Sequence, residues 1–313
     1  LAIDRVLPIF DWKDIYVASG MRYRDIIYQQ LPLFPKENVI LEPEMRDVGP
    51  AVGLVTLILA EIAPDEPLII LWSDHLVKNE ILFRKILSAV GNVLETDKKK
   101  IVFMGHSSRF ASQNLGWIEI GDKVRDSQGL TVFEFKSFHY RPNMEVAESF
   151  HGSEKHFWNP GYFGTTAGFL SSLYQKYAPN MYTKLHEIQS HWGQDDYEDV
   201  LRQIYPTLEK ISFDNIVLEK ISPDDGLVVG ADFGWSDIGA WESLKEALSD
   251  TAEENVTKGK VLISESTDSL VFNYTDQMVV GIDLQEMLVI NTEDVVLICP
   301  KNSVPKIKKL VES

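Results

Sequence analysis

One cysteine, Cys299, in 313 residues leaves neither a disulfide framework nor a cysteine-based zinc site open, and fits a reducing compartment. Long apolar runs are missing too. The longest, Ala51–Ala60, falls short of the ~18 residues a spanning helix needs. No basic-then-apolar leader opens the chain, so the expectation is a cytoplasmic protein with no membrane partner. Positive charge is scarce, 30 Lys+Arg against 47 Asp+Glu, for a formal net charge of −17. A nucleic-acid polymer needs clustered cations to neutralise its phosphates, so that class of partner is excluded. A small phosphorylated ligand is not, because a divalent cation can bridge carboxylates to phosphate oxygens. There is no Walker loop, no G-x-G-x-x-G, no G-x-S-x-G and no Cys–His nucleophile pattern. The seven histidines are scattered without metal-ligand spacing, which argues against zinc. Glycine is sparse at the start, where Gly20 alone precedes Gly49.

What is present is ordinary globular material, 44% hydrophobic and 25% charged, enough for a sizeable core in about two domains. Up to about residue 250 short apolar runs alternate with helical periodicity. Strands are expected at Asp14–Ala18, Val39–Leu41, Leu68–Trp72, Ile101–Met104, Trp117–Ile120, Thr131–Phe135 and Leu227–Ala231. Helices are expected at Leu1–Phe10, Tyr23–Leu31, Gly49–Ala63, Glu80–Leu94, Met144–Phe150, Ala167–Tyr177, Asp195–Tyr205 and Ala240–Ala247, with a helical turn at Asn215–Glu219. Such alternation implies an α/β fold, a Rossmann-like and mostly parallel sheet sandwiched by helices. Beyond it, Val261–Ser264, Leu270–Asn273, Met278–Ile282, Met287–Ile290 and Val295–Cys299 recur as short strands, which reads as a small C-terminal β domain. A helix over Ser303–Val311 follows. The domain division expected is 1–250 and 251–313, with the boundary in the polar stretch Ser249–Thr257. No repeat of 20–50 residues is evident.

Five places could carry chemistry. Ser73-Asp74-His75 follows an apolar strand, where open α/β sheets bind ligands, although Asp74 could equally cap a turn. Gly234-Trp235-Ser236-Asp237-Ile238-Gly239 also follows a strand, and its glycines let backbone approach a ligand. Asp74 and Asp237 together could hold one Mg²⁺ completed by phosphate oxygens and water. Glu42–Pro50 leads into a helix N-terminus, with Arg46 and Asp47 able to meet an anion or a guanine, or else forming a solvated proline-shaped loop. His156–Phe163 offers aromatics and the Asn159 amide to sugar hydroxyls, or is core with Asn159 shaping a turn. Arg141 could clamp a phosphate, though a lone Arg also sits well in solvent.

These segments, in this order, resemble the mannose-1-phosphate guanylyltransferases of the sugar nucleotidyltransferase family. Glu42–Pro50 (EPEMRDVGP) is similar to the family's E-P-x-x-R-N-T-A-P, Trp72–His75 (WSDH) to P-A-D-H, and Gly116-Trp117-Ile118 to G-Y-I. Phe138–Pro142 (FHYRP) resembles F-V-E-K-P, Trp158–Phe163 (WNPGYF) resembles W-N-S-G-M-F, and Ser212–Lys220 (SFDNIVLEK) resembles S-x-D-x-x-x-M-E-K. Gly234–Trp241 (GWSDIGAW) resembles G-W-S-D-V-G-S-W.

The resemblance implies an enzyme that forms GDP-mannose and pyrophosphate from GTP and mannose 1-phosphate. It implies Mg²⁺ on Asp74 and Asp237, with Asp74, Arg141 and Asp237 catalytic. Glu42, Arg46, Asp47, Ser73 and Asp74 would meet the nucleotide. Gly116, Tyr140, Arg141, Asn159 and Asp237 would meet the sugar phosphate. Homo-oligomerisation stays open. The chain departs from the pattern in places: the family's opening strand and phosphate-cradling G-G-x-G-T-R-L-x-P loop have no counterpart here, so a segment before Leu1 is expected to supply them. Tyr140 and Pro160 stand where the family has Glu and Ser, and Arg141 where it has Lys. The alternatives are a non-catalytic or regulatory homologue of the same fold, or a pyrophosphorylase for a different sugar nucleotide.

Overall fold

The computed structural model describes residues 2–237, 244–245, 248–249, 251, 253–304 and 307. They fall into two compact units, Leu1–Ser73 with Asn79–Phe233, and Asp74–Lys78 with Gly234–Ser313. The helices in chain order are α1 (Ala2–Val6), α2 (Arg24–Gln30), α3 (Val48–Ile62), α4 (Glu80–Thr96), α5 (Met144–His151), α6 (Ala167–Tyr177), α7 (Pro179–Ser190) and α8 (Tyr197–Ile204). The strands are β1 (Val17–Gly20), β2 (Val39–Glu42), β3 (Pro67–Ile70), β4 (Leu76–Val77), β5 (Ile101–Ser107), β6 (Gly116–Ser127), β7 (Leu130–His139), β8 (His156–Asn159) and β9 (Phe163–Thr166). They continue with β10 (Gly226–Ala231), β11 (Trp235–Ser236), β12 (Val256–Lys258), β13 (Val261–Ser264), β14 (Leu270–Asn273), β15 (Val279–Ile282), β16 (Met287–Asn291) and β17 (Val296–Pro300). The expected helices at Ala240–Ala247 and Ser303–Val311, and Ile238–Trp241 of the glycine motif, lie wholly or largely outside the described residues. Among the described residues no helix is long and apolar enough to cross a membrane.

In the first unit a seven-stranded sheet runs β10-β7-β6-β8-β5-β9-β3, beside a parallel pair β1–β2. Side chains alternate across a strand, so β5 feeds both faces. Ile101 and Phe103 join a core with Leu54 and Ile58 of α3, Leu170 of α6 and Leu185 of α7. Val102 and Met104, also fully buried, point to the face where Phe83, Ile86 and Val90 of α4 are buried. Truncating one such side chain, Phe103 to Ala for example, would cost roughly 3–5 kcal/mol.

The α/β sandwich is there, but the sheet is mixed where mostly parallel pairing is expected. Among these seven strands, β5 and β10 pair in parallel and the other pairings are antiparallel. The reason lies in two connections. Gln128 (φ 51°) and Gly129 (φ 68°) close β6 onto β7 in the two-residue, positive-φ turn that right-twisted hairpins favour. The other is at Pro160–Tyr162, where β8 and β9 run collinearly against β5, so most of the aromatic stretch His156–Phe163 is strand. Helix α7 occupies the stretch after α6 that shows no clear periodicity.

The second unit contains the ladder β4–β11 and a coil of short parallel strands, β12 to β16, closed by β17 running antiparallel to β16. β13 to β17 lie within a residue or two of the expected strands. β13 pairs with β15 and β14 with β16 in parallel, and side chains of successive turns meet 18 residues apart, as Asn291 Nδ2 does in donating to Asn273 Oδ1 at 3.0 Å. Two of the expected strands make one such turn, so the period falls below a search for 20–50 residues. Glu265 and Asp283, and likewise Asp268 and Glu286, take positive φ of 49–55° at equivalent corners. Leu270, Phe272, Leu288 and Ile290 fill the coil. The Lys245 ammonium, with 3% of its side chain exposed, meets Asp268 at 2.5 Å, and Lys301 meets the other oxygen of that carboxylate.

Candidate active site

In the first unit, β2 leads through Glu42–Asp47 into α3. Glu42 ends β2, and its Oε2 accepts the Tyr205 hydroxyl at 2.6 Å. Burial pushes the Glu42 carboxyl above its ordinary range, while the Tyr205 hydrogen bond acts against that rise. This carboxylate is therefore spent on holding β2 to the Tyr205 turn. Arg46 pairs with Glu44 at 3.1 Å. Asp47 caps α3 from φ 67°, ψ 178°, a backbone state that glycine alone adopts without strain, and accepts from Val48 N at 2.7 Å. Gly49 N donates to the Ile211 carbonyl at 3.0 Å, and a Cβ there would lie 2.5 Å from that oxygen. With Val48 and Gly49 so engaged and Pro50 lacking an N–H, the first amides of α3 are largely used internally.

Ile211 opens the segment that carries Asp214. Around Asp214 the structure gathers groups that are far apart in the chain. Burial pushes its carboxyl up, Glu219 and Asp47 push the same way, and Arg141 opposes them. Asn215 Nδ2 fixes Glu219 at 2.8 Å. Arg141 has φ 47° and its guanidinium lies 5.1 Å from the Tyr140 ring centre. Asp214 and Glu219 are functional candidates that reading residue types alone passes over. Their signal in the sequence is the S-x-D-x-x-x-M-E-K likeness of Ser212–Lys220.

Gly116 and Asn159 face each other across β6 and β8. A Cβ at Gly116 would lie 2.9 Å from Phe138, so the strand ends approach closely only because a side chain is lacking. Asn159 Oδ1 accepts from Gly161 N at 3.1 Å, so its oxygen shapes the bend. Gly161 has φ 77° and packs on the Trp72 indole. At the end of β5, His106 is buried with Nε2 3.2 Å from Asp232. Burial outweighs that carboxylate and pushes the imidazole down to about 4.

In the second unit, β4 and β11 form a two-residue antiparallel ladder, Trp235 opposite Val77 and Ser236 opposite Leu76. Asp237 follows Ser236, and Asp74 stands two residues before Leu76, so both carboxylates lie at one end of this ladder. Asp74 is 84% exposed. His75 Nδ1 accepts the Trp235 indole N–H at 3.1 Å, which puts the ring proton of a neutral imidazole on Nε2, 4.0 Å from Asp74 Oδ1. Gly234 takes φ 64°, and a Cβ there would meet Lys78 Cβ at 2.7 Å. An exposed carboxylate and a half-buried one at the same ladder end are donors of the kind a hard cation such as Mg²⁺ takes alongside waters and phosphate oxygens. Ser73, exposed, belongs to the first unit.

The chain matches the family model described as nucleotidyl transferase over residues 8–254. Residues 259–313 match the one described as MannoseP isomerase/GMP-like beta-helix domain. It is 32% identical over 302 residues to the mannose-1-phosphate guanylyltransferase of Escherichia coli (strain K12), covering 95% of this chain and 62% of that one. To mannose-1-phosphate guanylyltransferase ManC of Salmonella typhimurium (strain LT2) it is 30% identical over 301 residues, with the same coverage of 95% and 62%. The chain thus spans 62% of the length of these relatives. In structure it is similar to the mannose-1-phosphate geranyltransferase from Thermus thermophilus, with a TM-score of 0.84 at 23% identity over 99% of this chain and 87% of that one. That likeness is one of fold. A further fold likeness, TM-score 0.60 at 19% identity over 75% of this chain and 89% of that one, is to the mannose-6-phosphate isomerase from Helicobacter pylori.

Proposed function

The chain belongs to the nucleotidyl transferase family, and on that premise we propose that its protein forms GDP-mannose and pyrophosphate from GTP and mannose 1-phosphate. The observation that carries this reading is a family match running through residues 8–254, together with relatives named for that guanylyl transfer. A phosphate oxygen of mannose 1-phosphate attacks the α-phosphorus of GTP. The new P–O bond forms as the bond to the departing pyrophosphate breaks, so positioning and charge stabilisation suffice without a protein nucleophile.

Asp74 and Asp237 would hold Mg²⁺, which when bound neutralises phosphate charge and aligns the reacting groups. Arg141 pairs with the sugar phosphate as a fixed charge, and Tyr140 braces its guanidinium. Gly116 leaves room for the sugar, and Asn159 offers its amide N–H groups, since its oxygen serves Gly161. Arg46, Asp47 and Ser73 meet the nucleotide, and Glu42 contributes by holding the β2 end against Tyr205. The protein works where such metabolites are made, in the cytoplasm.

Pyrophosphate release by the intact protein with GTP, mannose 1-phosphate and Mg²⁺ tests the reading. Turnover should need all three and fall by roughly 100-fold or more in Asp237→Ala. A folded protein that releases no pyrophosphate would overturn it. Tyr140 and Pro160 favour one second reading, a different sugar nucleotide, which faster turnover with another nucleoside triphosphate or sugar 1-phosphate would establish.

A further inference from the structure

Histidines that share no spacing along the chain meet on the sheet. β6 lies between β7 and β8, and Glu119 stands opposite Ser137 on one side and His156 on the other. His139 is two residues beyond Ser137, so all four side chains share one face. Glu119, His139 and His156 each offer a ligand atom, and these atoms lie within 4.8 Å of one another. His139 Nε2 is 3.9 Å from Glu119 Oε2.

Ser137 already ties two of the three together. Its hydroxyl donates to Glu119 Oε2 at 2.6 Å and lies 2.8 Å from His139 Nε2. A carboxylate only accepts, so without an ion the imidazole N–H donates to the serine oxygen, and a metal bound at this nitrogen takes the place of that proton, which is released to solvent. Phe150 of α5 stacks on His156 with ring centroids 4.1 Å apart and packs against His139 at 4.8 Å, fixing both rings. His156 Nδ1 is buried and has no hydrogen-bond partner among the described residues, an arrangement that costs free energy unless something fills it. Glu119 and His139 keep 37% and 39% of their side chains exposed, so an ion has a way in.

We propose that Glu119, His139 and His156 form a three-ligand site for a zinc-class divalent cation, with a fourth position left to solvent. Two imidazoles and a carboxylate are the donor set such ions take when one position stays open, at metal–ligand distances of about 2.0–2.2 Å. Reaching those distances draws the three donors together by roughly an ångström, within reach of side-chain rotation on a fixed sheet. The site does not depend on the nucleotidyl-transfer reading. Its consequence for that reading is mechanical: the ion would tie together the three strands whose ends carry Gly116, Tyr140–Arg141 and Asn159.

Zinc titration of the purified protein against a chromophoric chelator tests the proposal, with cobalt as a spectroscopic substitute. One ion should bind, and cobalt should give the visible bands of a low-coordinate nitrogen–oxygen site. Glu119→Gln, His139→Gln and His156→Gln should each weaken binding by at least about tenfold, the scale that even outer-shell changes reach. His191→Ala, whose ring pairs with Asp196 elsewhere in the unit, should leave it unchanged. Circular dichroism in chelator identifies any variant that fails to fold, and the remaining variants and the wild-type cobalt spectrum then decide. Wild-type protein that binds no zinc, or zinc binding that folded variants of all three ligands leave intact, overturns it.

Discussion

The two compact units differ in how far a residue must look along the chain for its partner. In the second, Asn273 finds Asn291 18 residues on, and β13 finds β15 by the same step. In the first, Tyr205 reaches back 163 residues to Glu42, and Ile101 of β5 pairs with Gly226 of β10. Short periodic pairing makes each strand's neighbour a matter of counting, whereas distant pairing is decided by which turns close first and which side chains fit.

That contrast can be broken or sharpened by perturbing one unit at a time and following hydrogen exchange in segments of both. The largest effect is expected for Asp268→Asn, which removes the carboxylate facing buried Lys245 and Lys301. It should cost about 3–4 kcal/mol, with protection lost in β14 and β16 while β5 keeps its own. Equal loss in β5 would mean the units do not respond separately. In the first unit Gly49→Ala drives a methyl against the Ile211 carbonyl, and about 3 kcal/mol should disappear from α3 and the Ile211–Leu218 segment.

The units should also part company in acid. His106 titrates near 4 when folded and 6.5 when unfolded, so the unfolded chain takes the proton first. The first unit should therefore lose up to about 3 kcal/mol as pH falls from 6.5 to 4, and His106→Gln should abolish that slope. For Asp268, burial alone would raise the carboxyl, but hydrogen bonds from Lys245 and Lys301 hold it below 3.8. Its contribution to the second unit is thus kept through that window and lost only below it. The smallest effect is Tyr205→Phe, about 1 kcal/mol for one hydrogen bond, read as faster exchange at the end of β2.

Much of the second unit was legible because β-strand alternation and turn pairs such as Thr267-Asp268 and Gln285-Glu286 recur at a fixed interval. In the first unit α4 was legible from amphipathic spacing, and α3 as a buried apolar run opened by Pro50. The mixed sheet was not, because nothing local in His156–Phe163 says that its two halves lie along β5. The candidate site divides the same way. Asp74 and Asp237 stand out by following strands. The capture of Glu42 by Tyr205, the crowding of Asp47, Arg141 and Glu219 about Asp214, and the meeting of His139 with His156 are products of tertiary packing, which spacing along the chain does not encode.

The repeating corners of the second unit have one more consequence. Because Glu265 and Asp283, and Asp268 and Glu286, bend the chain at the same phase of each turn, the coil's length is quantised. A whole turn added or removed returns every later side chain to its own face. A single residue added within a strand sends the apolar row outward and the charged row into the centre. Between β13 and β16 the coil is therefore resized without disturbing its core by complete steps, as a spiral staircase is lengthened by whole flights.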